Sequence, residues 1–250
     1  NIICFRNCGL HLRCGVKLMS IMQMMLGAGG GGGSIAGEYF AKARYTGTGS
    51  AQHITTDLDM TGGGLTWIKA DDPPNGRMHT WCYDDSKVFF PTEPDPMYTN
   101  TNVTSWTSTG FNLGSNGQTN ANTANYHSWN FKEAEGFLDT VTFTGNSPST
   151  NSFSHSLGQV PGLVVVKDLS TVDARSNYIQ FETFEGGIEY GHFNRNWIND
   201  GNTIWNDTSA NSSTVYIGTE GDINGSGRSY KAWLFAKETD GLIKCGNYTG

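Results

Sequence analysis

The chain has 250 residues, a formal net charge of −7, only 16% charged residues and 12% aromatics. The acidic balance argues against a nucleic-acid partner, which needs a basic face, and the aromatic content argues against a disordered chain. With no run of eighteen apolar residues, no helical membrane span is expected.

Residues 1–18 differ from everything after them. They carry Cys4, Cys8 and Cys14, no acidic residue, and the basic Arg6, Arg13 and Lys17. Three readings stay open for this lead: an upstream extension with the true start at Met19, a signal peptide, or a soft-ligand set made of Cys4, Cys8, His11 and Cys14. The spacing of those four matches no trusted zinc pattern, so no metal is expected. Met19, Ile21, Met22, Met25 and Leu26 make a short apolar segment, read as a helix suited to contact with another subunit. Gly29 to Gly33 follow as a flexible hinge. Residues 1–37 are therefore set apart as an N-terminal extension.

Beyond the hinge the chain repeats itself. Tyr126, Trp129 and Phe131 recur 104 positions later as Tyr230, Trp233 and Phe235. Phe111-Asn-Leu-Gly-Ser answers to Val215-Tyr-Ile-Gly-Thr at the same offset. Tyr45-Thr-Gly, Phe143-Thr-Gly and Tyr248-Thr-Gly form a third set, and Gly136 answers to Gly241. Such self-similarity decides the architecture before any local reading does. Residues 38–139 and 140–250 are expected to be two copies of one module, the second ending on a closing strand or on the opening strand of a third copy.

Within each copy the elements read as strands. Gln52-His-Ile-Thr-Thr-Asp-Leu and Ser152-Phe-Ser-His-Ser-Leu alternate as half-buried strands do. Leu65-Thr-Trp-Ile-Lys and Leu163-Val-Val-Val-Lys are buried strands, the latter the most β-branched run in the chain. Asn116 to Asn125 reads as a polar loop, and Asn224-Gly-Ser-Gly as a hairpin turn. Short strands with Gly- and Asn-rich turns predict an all-β fold of tandem β-sandwich, jelly-roll-like repeats. Cys82 and Cys245 have no counterpart in the other copy and are taken as ordinary strand residues, not as a disulfide framework. Trp129 and Trp233, which do recur, are expected in the core.

The chemistry-bearing patterns are thin. There is no phosphate loop, no dinucleotide fingerprint and no His-Glu-x-x-His. Gly33-Ser-Ile-Ala-Gly has the letters of a nucleophile elbow but lies in the linker. Carboxylates at Asp71 and Asp72, Asp84 and Asp85, and Glu182, Glu185 and Glu189 do not recur between copies and read as solvated acidic surface rather than a glycosidase pair. Glu220-Gly-Asp-Ile-Asn-Gly spaces oxygen ligands like a calcium loop, but Lys231 stands at the twelfth position, and the plain turn is preferred. Trp81 and Tyr83, beside His79 and Trp67, and the non-repeating Trp197 and Trp205 are candidate ligand or partner contacts, because aromatic faces offer broad contact at low entropic cost.

Taken together, Tyr45-Thr-Gly-Thr-Gly-Ser, His155-Ser-Leu-Gly-Gln-Val-Pro-Gly-Leu-Val-Val-Val-Lys, Trp205-Asn-Asp-Thr and Tyr230-Lys-Ala-Trp-Leu-Phe-Ala resemble a domain of unknown function found in structural proteins of tailed bacteriophages, marine ones especially. The likeness covers residues 42–250. It implies a non-enzymatic virion component, tail-fibre-like, without cofactor, whose partners are further copies of itself, other virion proteins and a host-surface glycan. Capsid decoration, a lectin-like binder and a depolymerase are the alternatives. Repeat one departs from the pattern at Gly62-Gly-Gly-Leu, where repeat two has Val-Pro-Gly-Leu, which leaves open whether it serves a different contact.

Overall fold

The computed structural model describes residues 2–4, 35–71, 79–84, 86–91, 93, 97–170, 177–181, 187–193 and 198–246. The expectations for Met19, Ile21, Met22, Met25 and Leu26, for the Cys8–His11–Cys14 set and for Trp197 lie outside these residues.

The chain forms two compact units, one of Gly33–Glu133 and one of Ala134–Gly250 together with Asn1–Gly32. In chain order the strands begin with β1 (Ile2–Cys4), followed by β2 (Phe40–Thr46), β3 (Gln52–Thr55), β4 (Gly64–Ala70), β5 (His79–Tyr83), β6 (Lys87–Phe89), β7 (Tyr98–Thr99), β8 (Val103–Thr107) and β9 (Gly110–Leu113). A one-turn helix α1 (Gly117–Asn120) leads into β10 (Asn125–Lys132). The second unit continues with β11 (Leu138–Thr144), β12 (Asn151–Ser154), β13 (Pro161–Asp168), β14 (Asn177–Phe181), β15 (Glu189–His192), β16 (Ile198–Asp200) and the one-turn α2 (Asn202–Trp205). It ends with β17 (Thr214–Ile217), the one-turn α3 (Gly221–Asn224), β18 (Ser229–Ala236), β19 (Glu238–Thr239) and β20 (Ile243–Cys245).

The repeat in the letters is a repeat in space. The first unit has a sheet ordered β2-β10-β4-β5-β6-β7, and the second has β11-β18-β13-β14-β15-β16, so equivalent strands hold equivalent places. Each is joined by a smaller sheet, β3-β9-β8 in the first unit and β12-β17 in the second. The fold is all-β and sandwich-like, as the spacing of strands and turns predicts. In the first unit Ile68, Ala70, Cys82, Val88 and Tyr126 of the large sheet pack against Ile54, Val103, Phe111 and Leu113 of the small one. Trp106 ties the two layers by donating its indole N–H to the Thr66 hydroxyl, 2.9 Å away. In the second unit the rings of Phe143 and Phe153 stack at 4.7 Å between β11 and β12. Burial pushes the Cys82 thiol up to about 12, which makes it an inert core residue, as its place in a strand suggests.

Both units are closed by the same lock. Asn120 and Asn224 sit at the ends of α1 and α3, 104 residues apart, and neither is exposed to solvent. The Asn120 amide donates to the Gly114 and Ser50 carbonyls, each at 2.7 Å, and its oxygen accepts from the Thr48 N–H at 2.8 Å and from Gln52 Nε2 at 2.7 Å. The Asn224 amide donates to Gly218 O at 2.7 Å and Ser149 O at 2.8 Å, and its oxygen accepts from the Asn146 N–H at 2.8 Å. A buried amide with two donors and one acceptor oxygen can be fully satisfied in this way. The strand tyrosines complete the lock. Tyr126 OH accepts from Ala121 N–H at 2.9 Å and donates to Gly117 O at 3.1 Å, while Tyr230 OH accepts from Gly225 N–H at 2.7 Å and donates to Gly221 O at 3.1 Å.

Residues 225–228 do turn, with Arg228 N–H donating to Gly225 O at 3.0 Å, but β17 and β18 lie in different sheets, which corrects the reading of Asn224-Gly-Ser-Gly as a hairpin. The reading of residues 116–125 as plain loop is corrected too. Each segment winds one helical turn first, because the buried asparagine side chain draws the chain inward. The lock also explains the recurring Thr-Gly. A Cβ at Gly47 would lie 2.9 Å from the Asn120 carbonyl carbon, and one at Gly145 would lie 2.6 Å from that of Asn224. Residues 134–139, read from sequence as the tail of repeat one, group with the second unit, where β11 begins at Leu138.

Candidate functional site

The outer face of the first unit's large sheet gathers its unusual side chains. Strand register sets them in two cross-strand rows, since opposite residues on neighbouring strands bring their side chains together. One row runs Lys42, Trp129, Trp67, Trp81, Phe89 across β2, β10, β4, β5 and β6. The other runs Arg44, His127, Lys69, His79 across β2, β10, β4 and β5. Trp67 is the hub: its ring lies 5.6 Å from Trp129, 5.7 Å from Trp81 and 5.5 Å from His79, and His127 stacks on Trp129 at 6.3 Å.

Exposure falls along the first row. Lys42 is exposed, Trp129 and Trp67 are half-buried, and Trp81 and Phe89 are interior. The open corner is thus Lys42, Arg44, His127, Trp129, Trp67 and Lys69. Asp71 closes one side of it, with Oδ1 at 3.1 Å from His127 Nε2 and Oδ2 at 3.6 Å from Arg44 Nη2. Arg44 and His127 remain well exposed, so these pairs add little to stability.

Burial, with Lys69 nearby adding to it, pushes the His79 imidazole down to about 4. The Trp67 indole N–H donates to His79 Nδ1 at 3.1 Å, which requires that nitrogen to be unprotonated. A folded-state value below the ordinary 6.5 means that the unfolded chain takes up more protons between the two values. Stability is therefore expected to fall as pH drops from about 6.5 to about 4, and His79→Gln is expected to flatten that part of the profile. Melting temperature against pH for both proteins checks this; parallel profiles would refute it.

The candidates named from sequence are placed as follows. Trp81 and Tyr83 are interior, so of that aromatic group only Trp67 and His79 reach the surface. Burial also raises the Tyr83 hydroxyl above its ordinary value. Trp205, at the end of α2, is wholly buried and acts as packing. Trp129, expected in the core beside Trp233, is half-buried, whereas Trp233 is fully enclosed. Among the described residues no group of three or more His, Cys, Asp or Glu could hold a metal ion, and Glu220 stands at the N-cap position of α3 without a side-chain capping bond. Lys42, Arg44, Lys69 and His127 were legible only as alternate residues on three strands, and register alone brings them together.

The second unit has the same rows with different side chains. Thr140, Trp233 and Val165 replace Lys42, Trp129 and Trp67, and Thr142, Lys231 and Lys167 replace Arg44, His127 and Lys69. There Trp233, Val165, Lys231 and Lys167 are all buried. The two copies share a frame and differ on this face.

Residues 35–250 match the family described as Domain of unknown function (DUF7483), and the chain belongs to it. No curated protein and no solved structure matches the chain. No helix among the described residues is long and apolar enough to cross a membrane.

Proposed function

We propose that the chain is a non-enzymatic structural protein of a tailed-bacteriophage virion, an attachment or tail-fibre subunit that assembles with copies of itself and with other virion proteins. The observation that carries this reading is the duplication with divergence. One β module is used twice on the same lock, with its outer face enclosed in the second copy and left half-open, with indoles and cations, in the first. A repeated rigid module with one adapted contact face suits a particle component that must be stiff and must also touch something. The likeness to virion domains noted in the sequence points the same way. The capsid-decoration alternative shares the stiffness but gives no use for the open corner. The test is whether the chain is a regular component of purified particles, present in fixed ratio to the major tail protein across preparations.

A further inference from the structure

We propose that the open corner of the first unit binds an acidic polysaccharide, with uronate-type carboxylates on Arg44 and Lys69 and pyranose rings against Trp129 and Trp67. This rests on the attachment reading above and names the ligand class for it.

Three observations combine. The first is charge. In a chain of net charge −7, this corner brings Lys42, Arg44 and Lys69 together, and among the described residues Asp71 is the carboxylate paired there. Arg44 touches Asp71 at only 3.6 Å through one nitrogen, and a guanidinium has five donors in a fork that fits a carboxylate. The second is the indole pair. Trp129 and Trp67 are held by ring contacts to each other, to His127 and to His79, so their half-exposed faces are fixed in place. A rigid aromatic face takes up the C–H side of a sugar ring at little entropic cost. The third is spacing. Arg44 on β2 and Lys69 on β4 are separated by β10 alone, two strand spacings or roughly 10 Å. That span is comparable to the disaccharide step of an extended 1,4-linked polyuronate, so alternate carboxylates reach alternate strands. The enclosed equivalent in the second unit, with Thr140 and Thr142 in place of Lys42 and Arg44, has neither the β2-side cations nor the open rings. A nucleic acid is disfavoured because three cations beside Asp71 fall short of the extended basic face it needs.

The experiment uses the full chain and an alginate hexasaccharide, followed by titration calorimetry and tryptophan fluorescence. Maltohexaose serves as the neutral sugar and hexathymidylate as the polyphosphate. The alginate oligomer is expected to bind with an affinity that falls with salt, at least about tenfold more tightly than either control. Lys42→Ser with Arg44→Ser, both on exposed positions, is expected to weaken it about tenfold at an unchanged melting temperature. Trp129→Phe is expected to weaken it as well while keeping the packing. The proposal is overturned if the alginate oligomer gives no heat, if hexathymidylate binds equally well, or if the double serine variant binds as the parent does. It is also overturned if Trp129→Phe splits a dimer of the parent chain, because a second copy then covers the face. Incorporation of the chain into particles is measured separately, so loss of glycan binding in a particle-borne chain refutes this inference and leaves the structural reading standing.

Discussion

Asn120→Ala and Asn224→Ala are each expected to destabilise their unit by about 3–4 kcal/mol. The side chain is fully buried and every polar atom on it is used. Truncating Asn120 strands the buried Gly114 carbonyl, at a cost of about 1–3 kcal/mol, and also frees the Ser50 carbonyl and the Thr48 N–H, which lie nearer the surface and recover part of their cost from water. Aspartate is expected to be worse than alanine at neutral pH. It has the same shape, but a carboxylate oxygen would face the two carbonyls that the amide now serves, and the charge would be buried without a cation. Lowering the pH should recover part of the loss in Asn120→Asp, since the neutral acid can donate once, and should not do so in the alanine variant. Guanidinium unfolding gives the comparison. A loss below about 1 kcal/mol in the alanine variants would show that the lock does not hold the units closed.

Gly47→Ala and Gly145→Ala are expected to be as damaging by a different route, about 4 kcal/mol or more. The obstacle is backbone, not a side chain that can swing away. A new methyl at Gly47 would meet the Ala121 carbonyl oxygen and the carbons of Asn120 and Ala121, and one at Gly145 would meet the carbonyls of Gly225 and Asn224. The chain can make room only by withdrawing the turn that carries the asparagine, so the two effects are coupled. Gly47→Ala and Asn120→Ala combined should cost clearly less than their sum. Gly117→Ala and Gly221→Ala are the controls, because nothing lies within 4 Å of a Cβ there. Controls as unstable as the Thr-Gly variants would refute the steric account.

The fold was legible because its signals were periodic and duplicated. Alternation in Gln52–Thr55 and Ser152–Phe153, and the β-branched run at Leu163–Val166, predict strands that the register confirms. The lock was not legible. Asn120 and Asn224 lie in polar segments where most asparagines serve turns, and propensity cannot separate a turn asparagine from one buried with four partners. The 104-residue offset already contained the signal, as Gly114-Ser-Asn-Gly-Gln-Thr-Asn against Gly218-Thr-Glu-Gly-Asp-Ile-Asn. The aromatic residues were legible as a group but not by exposure. Trp81 and Trp67 face each other on adjacent strands, yet one is interior and the other half-open, because enclosure changes along a single row. The cations at Lys42, Arg44 and Lys69 come from two strands more than twenty residues apart, and composition reported only the net negative charge that hides them.

One measurement tests the structural reading most directly. Antibody fragments against the β units, carrying gold, would be applied to purified tailed particles of the phage proposed to encode the chain and viewed by electron microscopy. The account predicts regular labelling of an external appendage, reproducible in copy number from particle to particle. Particles without label, with the chain recovered only from the soluble fraction of lysed cells, would contradict it.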